Sequence, residues 1–172
     1  MTKAEFLKDV GNWSNHRYLL WEALEATRHL NLPVLELGCG DGSTPFLQQY
    51  CKDNGLDLFS YDFNSEWAIR FDAHHVINWD SSVDWKRNYS VVLVDESPGE
   101  HRKTSIRSLI NSRIVVVHDS EPVGWNSSDY QVRPEFMRYA YTYDLKSEKP
   151  EGAWATWLSN YFVPPITKIL ER

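Results

Sequence analysis

The sequence is short of cysteine, of long apolar runs and of positive charge, and each shortage removes a class of protein. Cys39 and Cys51 are the only cysteines in 172 residues, too few for a disulfide framework or a multi-cysteine zinc site. The longest aliphatic stretches, Val91-Val92-Leu93-Val94 and Ile114-Val115-Val116-Val117, fall far below the roughly 20 residues of a membrane span. Met1-Thr2-Lys3-Ala4-Glu5 carries no apolar signal core, so a soluble, cytoplasmic protein without a membrane partner is expected. Eighteen basic against 24 acidic side chains give a net charge of −6, which disfavours nucleic acid as a partner. What remains fits one globular domain over 1–172, a helical cap at 1–30 preceding a core at 31–172. Aromatic residues, by contrast, are plentiful, at 14% with eight Trp.

Short apolar runs alternate with amphipathic segments, the pattern of α/β layering. Residues 14–30 carry Leu20, Ala23, Leu24 and Thr27 at helical spacing, with Ser14 placed as the cap. Val34-Leu35-Glu36-Leu37 reads as a buried strand ended by a glycine-rich turn. Thr44-Pro45 then opens a helix with Phe46, Leu47, Tyr50 and Cys51 on one face. Further strands are predicted at 58–61 ending at Asp62, 75–77 ending near Asp80, 90–94 ending at Asp95 and 114–117 ending at Asp119, with helices near 65–71 and 101–110. The tail predicts a helix near 134–141 and strands at 142–145 and 154–158 about a polar connection. The sum is a Rossmann-like three-layer α/β sandwich, a seven-stranded, mostly parallel sheet with a C-terminal antiparallel hairpin. Ligands of open parallel sheets bind beyond the C-terminal strand ends, so the four strand-end acids converge on one rim.

Gly38, Gly40 and Gly42 form G-x-G-x-G, whereas the dinucleotide fingerprint would place its third glycine at position 43, which is Ser43. On the residues alone these are equally turn glycines, Asp62 and Asp80 solvated strand-end acids, and Phe63 a core residue. Glu36-Leu37-Gly38-Cys39-Gly40-Asp41-Gly42 resembles motif I, E-x-G-x-G-x-G, of the class I S-adenosylmethionine (SAM)-dependent methyltransferases. The resemblance extends over nearly the whole chain, because that family has five parallel strands followed by an antiparallel hairpin. It implies that Glu36, Gly38, Gly40 and Gly42 form the SAM loop, that Asp62 accepts hydrogen bonds from the ribose, that Phe63 lies beside the adenine and that Asp80 contacts the adenine amino group. SAM lacks a pyrophosphate and needs little basic charge around it, and no basic residue follows Asp62 until Arg70.

Methyl transfer to a hydroxyl needs alignment plus proton removal or metal polarisation. The candidates stand after the fourth and fifth strands: Asp95, His118 and Asp119. In the metal-dependent O-methyltransferases that the chain resembles, acids at these positions hold Mg²⁺ beside the acceptor hydroxyl, which makes Asp95 and Asp119 metal-ligand candidates. The resemblance is partial: Ser120 stands where catechol enzymes have Asn, and Pro98 where macrolide enzymes have His, with His101 three residues on. His101 and His118 are the candidate general bases, since imidazole titrates near neutrality. Glu96 and Glu121 read as surface acids or spare metal ligands, and Arg17 as a helix cap or a contact to an anionic group. The expected function is SAM-dependent methylation of a small-molecule hydroxyl; alternatives are a non-catalytic SAM-binding protein and an NAD-binding oxidoreductase. Trp21, Trp67, Trp154 and Trp157 read as core, Trp13, Trp79 and Trp125 as walls of the cofactor and acceptor rim, with Tyr130 beside the acceptor.

Overall fold

The computed structural model describes residues 1–8, 14, 16–120, 138–143 and 154–164. Trp13, Glu121, Trp125, Tyr130 and the polar connection before the last strand lie outside them. Three aliphatic runs form the middle of the sheet: β1 (Val34–Leu37), β4 (Val91–Val94) and β5 (Ile114–His118), every residue of them buried. Such strands are covered on both faces, which explains their unbroken hydrophobicity. β2 (Leu58–Asp62) and the two-residue β3 (His74–His75) extend the parallel set on one side. β6 (Tyr139–Tyr143) and β7 (Ala155–Ser159) complete the other, giving the order β3-β2-β1-β4-β5-β7-β6. β7 runs antiparallel to both of its neighbours. Leu37 pairs with Tyr61 and Val94, and Val94 with Val117, so the three main crossovers leave the sheet at one level. That alignment places residues 38, 62, 95 and 119 along a single rim.

Period-two alternation divides the core. Val34, Val91, Leu93, Ile114, Val116 and Trp157 face Phe6, Leu20, Leu24 and Leu47 from the helices α1 (Lys3–Phe6), α2 (Arg17–Thr27) and α3 (Thr44–Asn54). Leu35, Leu37, Val92, Val94, Val115 and Val117 face Ile106 of α6 (Arg102–Ser108) and Trp79 of α5 (Trp79–Ser82). The remaining helix, α4 (Ser65–Arg70), starts at Asn64, whose side chain accepts from the amides of Glu66 and Trp67. No helix among the described residues is long and apolar enough to cross a membrane.

Several local expectations shift. Ser14 is not the cap of α2: His16 holds that position without a side-chain bond, and Ser14 contributes its carbonyl to the amide of Arg17. Ser43 rather than Thr44 occupies the N-cap of α3, without a side-chain cap bond, and the hydroxyls of both residues are turned to the carboxylate of Glu36. The helix expected at 134–141 is contradicted over 139–141, which belong to β6. The Tyr139-Ala140-Tyr141-Thr142-Tyr143 alternation is a strand signal that outweighs the helical spacing seen upstream. Asp80 does not end a strand but lies in the first turn of α5, and Ile77 is exposed.

Candidate active site

The glycine turn is fixed from beneath by a buried acid. Glu36 is fully buried; its Oε1 accepts from Ser43 Oγ at 2.6 Å and Thr44 Oγ1 at 3.0 Å, and its Oε2 from Ser60 Oγ at 2.7 Å. Burial pushes its pKa up to about 7 against the pull of these three hydroxyls. Glu36 therefore shapes the loop from inside rather than facing a ligand. Gly38 has φ +91°, and a Cβ there would stand 2.3 Å from the carbonyl oxygen of Asp95. Only glycine permits that conformation and that approach. Gly40 donates its amide to Thr44 Oγ1 at 2.9 Å, curling the turn onto α3.

This loop, the end of β2 and the end of β4 enclose a cleft of about 450 Å³ lined by Gly38, Cys39, Asp62, Phe63, Asn64, Trp67, Asp95 and Ser97. Asp62 Oδ2 accepts the Cys39 amide at 2.6 Å and Oδ1 the Asn64 amide at 2.7 Å. One bond per oxygen fixes the carboxylate and leaves acceptor capacity on each atom. Phe63 is 49% exposed beside it, an apolar surface rather than a core residue. Trp67 stacks on Phe71 with ring centroids 5.5 Å apart, while Arg70 binds Asp41 of the glycine loop at 2.6 Å. The two tryptophans thus exchange their expected places. Trp67 walls the cleft and Trp79 is buried behind it, its indole N–H reaching the carbonyl of Ser97 at 3.3 Å. Burial pushes the Cys39 thiol pKa well up, which keeps it protonated.

Asp95, His118 and Asp119 come together as expected, with potential ligand atoms all within 4.8 Å of one another. His118 Nδ1 lies 3.1 Å from Asp95 Oδ1 and 3.5 Å from Asp119 Oδ1. Burial alone raises the Asp95 pKa, but the adjoining His118 and Arg102 outweigh it and bring the carboxyl to about 2. For His118 burial works downward and is outweighed by Asp95 and Asp119, so its pKa is raised. Asp119 adopts φ +51°, left-handed backbone that Asp tolerates better than most residues. His101 belongs elsewhere. Its Nδ1 is 3.3 Å from Glu96 Oε1 and 3.1 Å from Ser105 Oγ, its Nε2 3.6 Å from Asp80, and its ring stacks on Trp79. The hydrogen bond with Glu96 is the main cause of its raised pKa. Glu96 is not a surface acid but fully buried.

Three site residues were not legible in sequence. Arg102 inserts between Asp95 and Asp119, at 2.9 Å and 3.5 Å; a cation at a helix start opposes the helix dipole, which is the only local hint that acids hold it. His16 is fully buried with its ring 4.3 Å from that of His118, and neither of its ring nitrogens has a hydrogen-bond partner among the described residues. Burial, then the neighbouring His118, drive its pKa well below the ordinary value. Asn64 was visible only as a cap-type residue following Asp62. Arg17, by contrast, leaves the site: it is buried under α1, bonded to the carbonyls of Phe6 and Lys8.

Sheet order, glycine turn and strand-end carboxylate together define a Rossmann-like α/β fold with a cleft at its carboxyl-end rim. Among solved structures, the chain is similar to WbdD, described with a C-terminal bundle, at a TM-score of 0.53 and 16% identity over 95% of this chain and 39% of that one. It also aligns with an S-adenosylmethionine-dependent methyltransferase from Clostridium acetobutylicum at a TM-score of 0.41 and 13% identity, over 80% of this chain and 59% of that one. The chain thus spans less than two thirds of the length of either. No family model and no curated protein matches the sequence.

Proposed function

We propose that the chain binds SAM in the cleft between β1, β2 and β4 and transfers its methyl group to a hydroxyl of a small molecule. The carrying observation is the cleft lining: a glycine at positive φ, two carboxylates, one exposed and one half-buried aromatic ring, with no Lys or Arg among the lining residues. Asp62 offers the acceptor atoms a ribose diol requires, Phe63 and Trp67 offer faces for a purine, and the acidic lining suits a sulfonium while opposing a pyrophosphate.

SAM, when bound, supplies a methyl group on a positively charged sulfur. The chain then has to orient an oxygen nucleophile and remove its proton. Asp95 stands at the cleft beside His118 Nδ1 and Arg102 and orients the acceptor hydroxyl by accepting its hydrogen bond; the proton passes through Asp95 to His118 in the fraction whose imidazole is neutral. Asp119 Oδ1 approaches the same Nδ1 at 3.5 Å and balances the charge of the imidazolium. His101 acts at a distance, bracing Asp80 on the adenine side.

Calorimetric titration with SAM, S-adenosylhomocysteine and NAD tests the cofactor assignment. Saturable binding of both sulfur nucleosides with no response to NAD is expected, and binding of NAD alone overturns it. For the chemistry, His118→Asn should abolish methylation of any accepted substrate while S-adenosylhomocysteine still binds; full activity in that variant overturns the proton-acceptor role.

A further inference from the structure

Asp95, His118 and Asp119 have the oxygen and nitrogen donors that divalent cations take, at spacings compatible with a shared ion. Their surroundings do not fit one. The guanidinium of Arg102, itself buried, is held from several sides: Nε donates to the carbonyl of Glu96 at 2.9 Å, Nη1 to the carbonyl of His118 at 2.9 Å, and Nη2 to Asp95 Oδ1 at 2.9 Å and its carbonyl at 3.2 Å, while Nη1 also pairs with Asp119 Oδ2 at 3.5 Å. Four of the five N–H donors of arginine thus meet acceptors, and the ion pair with Asp119 completes the set. Both carboxylates are bridged by one fixed cation, anchored through three backbone carbonyls at the ends of β4 and β5. A divalent ion entering between Asp95 and Asp119 would meet this guanidinium at ion-pair distance and would compete with it for Asp95 Oδ1, already shared with His118 Nδ1.

We infer that Arg102 is the built-in cation of this site: it occupies the electrostatic role of a divalent metal between Asp95 and Asp119, excludes the metal, and leaves the carboxylates fixed for metal-independent chemistry. Removing it uncovers a divalent-cation site made of Asp95, His118 and Asp119. The inference stands on the cluster itself and not on the cofactor assignment.

Mn²⁺ is titrated by calorimetry and by its paramagnetic resonance signal into the wild-type chain, Arg102→Gln, Arg102→Lys and Arg102→Gln with Asp119→Asn. S-adenosylhomocysteine is titrated into the same samples, so that a failed cofactor assignment is seen separately. Wild type and Arg102→Lys are expected to show no saturable Mn²⁺ binding. Arg102→Gln should bind one Mn²⁺ saturably, at least about tenfold more tightly than the weakest binding the titration can detect, and the added Asp119→Asn should abolish it. One Mn²⁺ bound by the wild type and released by Asp95→Asn overturns the inference, and that arm needs no Arg102 variant to fold. A folded Arg102→Gln that binds Mn²⁺ no better than wild type overturns it equally.

Discussion

Gly38 is the residue on which the cleft turns, for its Hα faces the β4 backbone where a side chain would collide with Asp95. Gly38→Ala combines that clash with a left-handed φ and should destabilise by roughly 3 kcal/mol or more in urea unfolding. Gly40→Ala is the internal control: its nearest obstacle is the Gly42 nitrogen at 3.9 Å, and it should unfold within about 1 kcal/mol of wild type. Glu36 has a different signature. Its folded pKa of about 7 lies above the ordinary glutamate value of 4.5, so the folded chain holds this proton more tightly than the unfolded one. Its contribution is complete below the ordinary carboxyl pKa and is lost as pH rises through about 7. Relative to Glu36→Gln, the wild type should lose on the order of 3 kcal/mol across that interval, measured as the difference between their urea midpoints at pH 5 and pH 8. A pH-independent difference would mean that the three hydroxyls cancel the burial.

At the level of elements, legibility followed burial on two faces. β1, β4 and β5 stood out because strands covered on both sides must be aliphatic throughout, and the acids that follow them mark where the chain leaves the core. β3 was misplaced because a two-residue edge strand paired only to Tyr61 and Asp62 has almost no pattern of its own. β6 was read partly as helix because its tyrosines alternate at an edge, where packing demands less of the sequence. α1 has a capping box, Thr2 with Glu5, but four residues are too few for a periodicity, and the helix is also held by a distant side chain: Arg17 bonds the carbonyls of Phe6 and Lys8 and covers the Phe46 ring at 3.5 Å. Arg17→Met should therefore free α1 selectively. Amide exchange at Phe6 and Leu7 should accelerate at least about tenfold, with amides of β1 and β4 unchanged; uniform acceleration would contradict a local role.

Across the whole molecule, the site is made of residues that sequence places far apart and the sheet register brings level. The strand-end acids Asp62, Asp95 and Asp119 were legible because each closes a readable strand. His16 and Arg102 were not, since they enter from α2 and α6 and meet the acids only through crossovers. The same register explains why His101, close to Asp95 in sequence, joins Asp80 and Glu96 instead. If the Asp95–His118–Asp119 cluster works with its own arginine, any methylation by this chain should be unchanged in excess chelator and unstimulated by Mg²⁺. A rate abolished by chelator and restored by Mg²⁺ would return the metal to the mechanism.

If the acidic, glycine-floored cleft holds an adenosyl group, Asp62 is the residue that fixes its ribose. The most direct test is calorimetric titration of S-adenosylhomocysteine into wild type and Asp62→Ala, with NAD as the competitor. The account predicts one site in the wild type, at least about tenfold weaker binding in Asp62→Ala and no displacement by NAD. Equal affinity in the two proteins, or NAD binding in place of the sulfur nucleoside, would contradict it.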